Sequence, residues 1–144
     1  MLLRHRMDAP ASKVWDELAD FGGMAHWSPD LAMSTQLARR GVARGAVREL
    51  TFARPHAGIR AIRERIIACG DHWFTYVIDG GFGPYPDAGS TWRVTKDGDG
   101  CIIEVESHVR GGPVWAMLST PIVYWRLKRG LRRAFDGLAA HVAR

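Results

Sequence analysis

Cysteine is scarce in this chain. Cys69 and Cys101 are the only two, they lie far apart, and neither has a CxxC partner or a histidine-rich neighbourhood. A disulfide framework and a zinc site are therefore not suggested, and both residues are expected as reduced, buried thiols. Long apolar runs are missing as well. Nothing approaches the ~20 apolar residues of a membrane span. The opening "MLLRHRM" offers only Leu2 and Leu3 before charge returns, too little for a secretory apolar region. The expectation is a cytoplasmic protein. There is no internal repeat, no low-complexity segment, no nucleotide-binding glycine motif and no Ser-His-Asp set or metal cluster, so no cofactor is expected. Acidic residues are the minority: 15 Asp and Glu against 20 Lys and Arg leave a net charge of +5. That permits an anionic partner without requiring one.

What is present suits one domain spanning residues 1–144, with 47% hydrophobic residues to build a core. Residues 2–7 read as a first strand. "DAPASKVWDEL" predicts a helix, with Asp8 as N-cap, Pro10 in the first turn, and Val14, Trp15 and Leu18 at helical spacing. Phe21, Gly22 and Gly23 end it, and "MAHWSPD" predicts a second short helix or turn stopped by Pro29. Strands are expected over 33–40, 45–54, 58–68, 72–80, 89–97 and 101–110, an antiparallel meander. After Pro121 a long helix carries Tyr124, Leu127, Leu131, Ala134, Phe135, Leu138 and Val142 on one side. Arg126, Lys128, Arg129, Arg132 and Arg133 lie on the other. The fold class is α+β: a strongly curved antiparallel sheet of about seven strands wrapped around the C-terminal helix, with two short helices after the first strand.

Strand alternation assigns the inner face residue by residue. In "RAIRERII" the face with two arginines suits solvent, so Ile62, Glu64 and Ile66 point inward; in "AVRELTF" Arg48 shares a face with Leu50 and Phe52. A three-residue loop at 55–57 would set Leu50 opposite Ile62 and Arg48 opposite Glu64. A turn at 69–71 would then pair Glu64 with Tyr76 and Ile66 with Phe74, so a row of Arg48, Glu64 and Tyr76 crosses the inner face. An alternative is an ion pair with only a structural role. For the last hairpin two registers compete. A two-residue "GD" turn puts Trp92, Val94, Ile103 and Val105 on one face, whereas a one-residue slip brings Glu104, Glu106 and His108 onto the face of Trp92.

One stretch is unusual. "GGFGPYP", residues 80–86, has too many glycines and prolines for a regular element, yet carries Phe82 and Tyr85 where a plain connector would carry small polar residues.

The stretches "MDAPASKVWDELADFGGMAHWSPD", "GAVREL", "IRERIIACGDHWFTYVIDGG" and "VESHV" resemble the START-like, birch-pollen-allergen superfamily (SRPBCC). Within it the chain looks like the bacterial polyketide cyclase/dehydrase and lipid transport group, with distant similarity to plant abscisic acid receptors. The resemblance implies a helix-grip fold around an elongated hydrophobic cavity. It places Glu64 and Glu106 in the pocket, the latter favouring the slipped register. It also matches two pocket-gating loops to "RPHAG" and "GGFGPYPDAG", so Phe82 and Tyr85 are expected to close over the cavity mouth. The receptors' pocket lysine and gate sequence are absent, so abscisic acid itself is not implied.

Three functions follow as expectations. The first is binding of a small hydrophobic or aromatic molecule, lipid- or polyketide-like, as carrier or sensor. Trp27, Phe52, Ile62, Phe74, Tyr76 and Trp92, with Leu127 and Leu131 from the helix and Phe82 and Tyr85 from the loop, would supply the wall. Arg48, Glu64, Glu106 and His108 would anchor a polar group. The second is a cyclase, aromatase or dehydratase using Glu64 or His108 as general acid or base, although the guanidinium opposite Glu64 argues against a free proton donor. The third is contact of the basic helix face, Arg126 to Arg133, with an anionic membrane, for which Trp115 and Trp125 lie close by. A solvated outer face explains the same charges, and nucleic acid is not expected as a partner.

Overall fold

The computed structural model describes residues 1–144. Strand β1 (Leu2–Met7) leads into helix α1 (Ala11–Ala19) and a 3-10 helix (Phe21–His26), followed by β2 (Leu31–Ala38), β3 (Val47–His56), β4 (Ile59–Gly70), β5 (Trp73–Ile78), β6 (Asp87–Asp97) and β7 (Gly100–Arg110). Helices α2 (Val114–Leu118) and α3 (Thr120–Val142) complete the chain. The strands form one curved antiparallel sheet in the order β1-β7-β6-β5-β4-β3-β2, so β1 joins the far edge by pairing with β7.

Helix α1 departs from its expected start. Pro10, not Asp8, is the N-cap residue, with no side-chain cap; the Lys13 and Val14 amides donate to its carbonyl. Asp8 instead pairs with Arg6. The 3-10 helix begins on Phe21, the residue expected to end α1. It is held to β2 by Ser34, whose hydroxyl donates to the Gly22 carbonyl and accepts from the Ala25 amide. Helix α2 was not expected. It follows Pro113, is short, and has no apolar periodicity of its own to betray it.

The core explains the long helix. Leu131, Ala134, Phe135, Leu138 and Val142 are buried, whereas Arg126, Lys128, Arg129 and Arg132 are exposed. At Gly137 a Cβ would lie 2.0 Å from the Trp27 carbonyl oxygen, so only glycine lets the backbone after the 3-10 helix lie this close to α3. That contact fixes Trp27. Aromatic rings fill this end: Trp92 stacks on Phe74 at 6.3 Å and meets Phe135 edge-on at 5.9 Å and Trp27 at 6.4 Å.

Hairpin registers match and depart in turn. Arg48 faces Glu64 and Leu50 faces Ile62, as alternation required, but the turn is the two-residue Ala57-Gly58, both at positive φ. An irregularity between Thr51 and His56 absorbs the difference. The β4–β5 turn is also two residues, which alone would set Glu64 opposite Asp79; an irregularity between Ile66 and Ala68 moves the register by one, so Glu64 lies opposite Ile78, and Ile66 opposite Tyr76. This corrects the expected pairing of Glu64 with Tyr76. The shift is by two positions, which leaves Tyr76 on the inner face.

Candidate functional site

Five adjacent strands each place one polar side chain on the inner face: Arg48 on β3, Glu64 on β4, Tyr76 on β5, Ser90 on β6 and Ser107 on β7. All five are buried. The Arg48 Nε and Nη2 both lie 2.7 Å from Glu64 Oε1, and Nη1 donates to the Phe21 carbonyl at 3.0 Å. Its guanidinium carbon sits 4.0 Å from the centre of the Phe21 ring and 5.6 Å from that of Tyr76. The Ser90 and Ser107 hydroxyls are 2.6 Å apart. Burial pushes the Tyr76 phenol above its ordinary range and the Glu64 charge adds to this; Arg48, Ser90 and Trp92 pull the other way without reversing it.

The row separates two apolar regions. On β6, Ser90 stands between Trp92 of the main cluster and Ala88 of a smaller one; on β7, Ser107 stands likewise between Val105 and Val109. Two buried indole N–H groups, Trp27 Nε1 and Trp92 Nε1, have no hydrogen-bond partner. An unmet buried donor costs about 1–3 kcal/mol, and only the Trp92 N–H has a neighbour it favours, the Tyr76 phenol in its ionised form.

Beyond the row lies the aromatic loop. Phe82 and Tyr85 pair through their backbones, and the Tyr85 hydroxyl donates to the Ala116 carbonyl of α2 at 2.7 Å. A Cβ at Gly112 would meet the Pro84 carbonyl oxygen at 2.2 Å, so the two glycine-rich segments interlock. Tyr85 is buried and Phe82 half-buried in the small cluster with Ala88, Val109 and Ala116, against Val123 and Tyr124 of α3.

The other expected residues divide. Trp27, Phe74, Trp92 and Leu131 are buried around the main cluster, and Leu127 packs half-buried against it. Phe52 is half-buried away from the row, its ring 4.5 Å from that of His56. Ile62 is half-buried and lines an outer concavity of about 260 Å³ with Ile59, Gly81 and Gly83. A second concavity, about 340 Å³, lies by Asp30, Arg54, His56 and Arg133; neither reaches the polar row.

Glu106 and His108 are corrected. The last hairpin takes the two-residue turn, with Trp92 opposite Val105 and Val94 opposite Ile103. Glu106 is therefore exposed on the outer face, and His108 sits there 2.8 Å from Asp87. Ser107 holds the inner position instead. Ser90 and Ser107 were missed, although each lies two residues from an inward residue of that same register. Phe21, which supplies both a carbonyl and a ring to Arg48, left no such signal. No group of three or more His, Cys, Asp or Glu is placed to hold a metal ion.

A seven-stranded antiparallel sheet gripping a C-terminal helix, with a polar row on its inner face, places the chain among the helix-grip proteins of the START-like superfamily. More narrowly, it belongs to the family described as polyketide cyclase/dehydrase and lipid transport, whose model matches residues 4–143. No curated protein sequence matches it. Among solved structures, it is similar to the Zhui aromatase/cyclase of Streptomyces sp. R1128, with TM-score 0.77 and 15% identity over 100% of this chain and 93% of that one. A START superfamily protein from Mycobacterium smegmatis gives 0.75 and 14% over 99% and 96%. Ara h 8.0201 gives 0.75 and 15% over 99% and 96%. Such identities speak for the fold. Family membership supports ligand binding or cyclase activity in general.

Proposed function

We propose that the chain binds a small, mostly apolar molecule bearing oxygen acceptors, between the polar row and the N-terminal half of α3, as a carrier or sensor. The observation that carries this is the row itself, buried on the inner face, together with two buried indole N–H groups without acceptors. A core built for stability alone gains little from such groups, because each loses its hydration on burial. A ligand carbonyl or phenol oxygen would supply the missing acceptor. The row is closed to solvent, so the molecule gets in only if the Tyr85 loop and α2 part, and the positive φ of Gly80, Gly81, Gly83, Gly111 and Gly112 puts bendable backbone on both segments.

The cyclase, aromatase or dehydratase alternative has less support. His108 lies outside, and Glu64 is held by Arg48.

Native mass spectrometry of the protein purified gently from its own cell extract tests the binding reading. The expected result is an adduct lost on denaturation and reduced about tenfold in occupancy by Tyr76→Phe, since a buried hydrogen bond is worth about 1 kcal/mol or more. A clean apo mass, together with no thermal stabilisation by a panel of aromatic polyketides and fatty acids, would overturn it and leave the row a structural network.

A further inference from the structure

The outside of the α2–α3 corner is as unusual as the inside of the sheet. Val114, Trp115, Met117, Leu118, Ile122 and Trp125 fall within residues 114–125, and each is 57–77% exposed. Helix α2 buries only Ala116 and turns its large apolar side chains to solvent. Elsewhere the exposed large apolar residues, Leu2, Met33, Leu37 and Ile67, are scattered, which is ordinary for a protein surface. A contiguous patch is not.

Along the segment that carries the patch, charge has one sign, with Asp87 of β6 lying across from Arg110. Between Glu106 and Asp136 the chain has no acidic residue, whereas Arg110, Arg126, Lys128, Arg129 and Arg132 are all exposed. Arg133 is excluded from this set because Asp30 holds it through three hydrogen-bonded contacts. The Arg129 guanidinium carbon lies 5.0 Å from the centre of the Trp125 ring, so a cation and an amphipathic aromatic share one edge of the patch.

We infer that the α2–α3 corner docks on an anionic lipid surface. Its aliphatic chains would sit among the acyl chains, Trp115 and Trp125 at headgroup depth, and the arginines on lipid phosphates and carboxylates. A second copy fits less well. A two-fold contact of the patch with itself would set Arg126 and Arg129 against their own images, with no acidic residue in the segment to pair them. This docking does not depend on a ligand inside the sheet, so either can fail alone.

Sedimentation of the full chain with two kinds of vesicle tests it: phosphatidylcholine alone, and phosphatidylcholine mixed equally with phosphatidylserine. The expected result is about tenfold stronger partitioning onto the phosphatidylserine vesicles, weakened by salt. The double variant Trp115→Ser, Leu118→Ser should lose about tenfold on those vesicles. Arg126→Glu with Arg129→Glu should reduce binding to the level of neutral vesicles. All four positions are exposed, and an unchanged unfolding midpoint will show that the variants fold. Absence of wild-type binding to the anionic vesicles, or binding that both variants leave intact, would overturn the inference. So would concentration-dependent self-association abolished by the apolar double variant, which would give the patch to a second copy.

Discussion

At the C-terminal end of α3, Leu131, Ala134, Phe135, Leu138 and Val142 join a cluster of 20 buried residues; at the N-terminal end the sheet, the Tyr85 loop and α2 enclose only Tyr85, Ala88, Val109 and Ala116. One helix and one sheet thus make two unlike interfaces. The first is sealed by Trp27, Phe74, Trp92 and Phe135, with Gly137 bringing the Trp27 backbone against the helix. The second is closed by two side-chain hydrogen bonds, from Tyr85 to the Ala116 carbonyl and from the Val109 amide to the Tyr124 hydroxyl, beside glycine-flanked segments. Apolar burial scales with area, so resistance to unfolding concentrates at the first end. The second, with four buried side chains, has fewer contacts to break. The polar row marks the border.

That contrast can be broken most severely at the sealed end. Phe135 is fully buried against Trp92 and His5, and Phe135→Ala should cost about 3–5 kcal/mol in urea unfolding. A loss below about 1 kcal/mol would mean that this end is not where stability resides.

The border is probed by pH. The free phenol titrates near 10.0 and the folded Tyr76 above it, so at high pH the unfolded chain releases a proton that the native state keeps. This contribution is complete below the unfolded value and declines as pH rises from there through the folded value, by up to about 1.4 kcal/mol per pH unit. Tyr76→Phe should remove that part of the slope; an identical slope in the variant would place the phenol in contact with water.

The smallest effect belongs to the Tyr85 loop. Tyr85→Phe keeps the ring and loses the bond to Ala116, worth about 1 kcal/mol. Amide exchange in α2 should quicken while that of β6 and β7 stays unchanged, and uniform quickening would show that the two ends open as one.

Much of this arrangement was readable from alternation. Arg48 and Glu64 point inward because Leu50 and Ile66, two residues away in their strands, are buried, and a period of two carries the charges inward with them. This held even though the connecting turn was read wrongly, since the irregularity in β3 restores the register. Tyr76 stayed inside for the same reason: an error of two positions preserves the face.

Where parity itself was open, sequence pattern had no answer. "CIIEVESHV" tolerates either register, and the resemblance of "VESHV" to receptor strands pointed to Glu106. In the folded chain β1 pairs with β7, setting Leu3 beside Val105, and Trp92 packs on Phe135. Those contacts bury Ile103, Val105 and Ser107 and turn Glu106 and His108 outward. Exposure of the α2–α3 corner is of the same kind. Val114, Trp115, Met117 and Leu118 look like core in composition, and only the position of α2 over the Tyr85 loop leaves them uncovered.

By itself, then, the sequence determined the order of elements apart from α2, the inward-facing Arg48–Glu64 pair and the amphipathic α3, because periodicity is a property of a segment. Tertiary structure alone decided which face of β7 is inner, which indole donors lack partners and which apolar side chains meet solvent. Each of these depends on what packs against a segment from elsewhere in the chain.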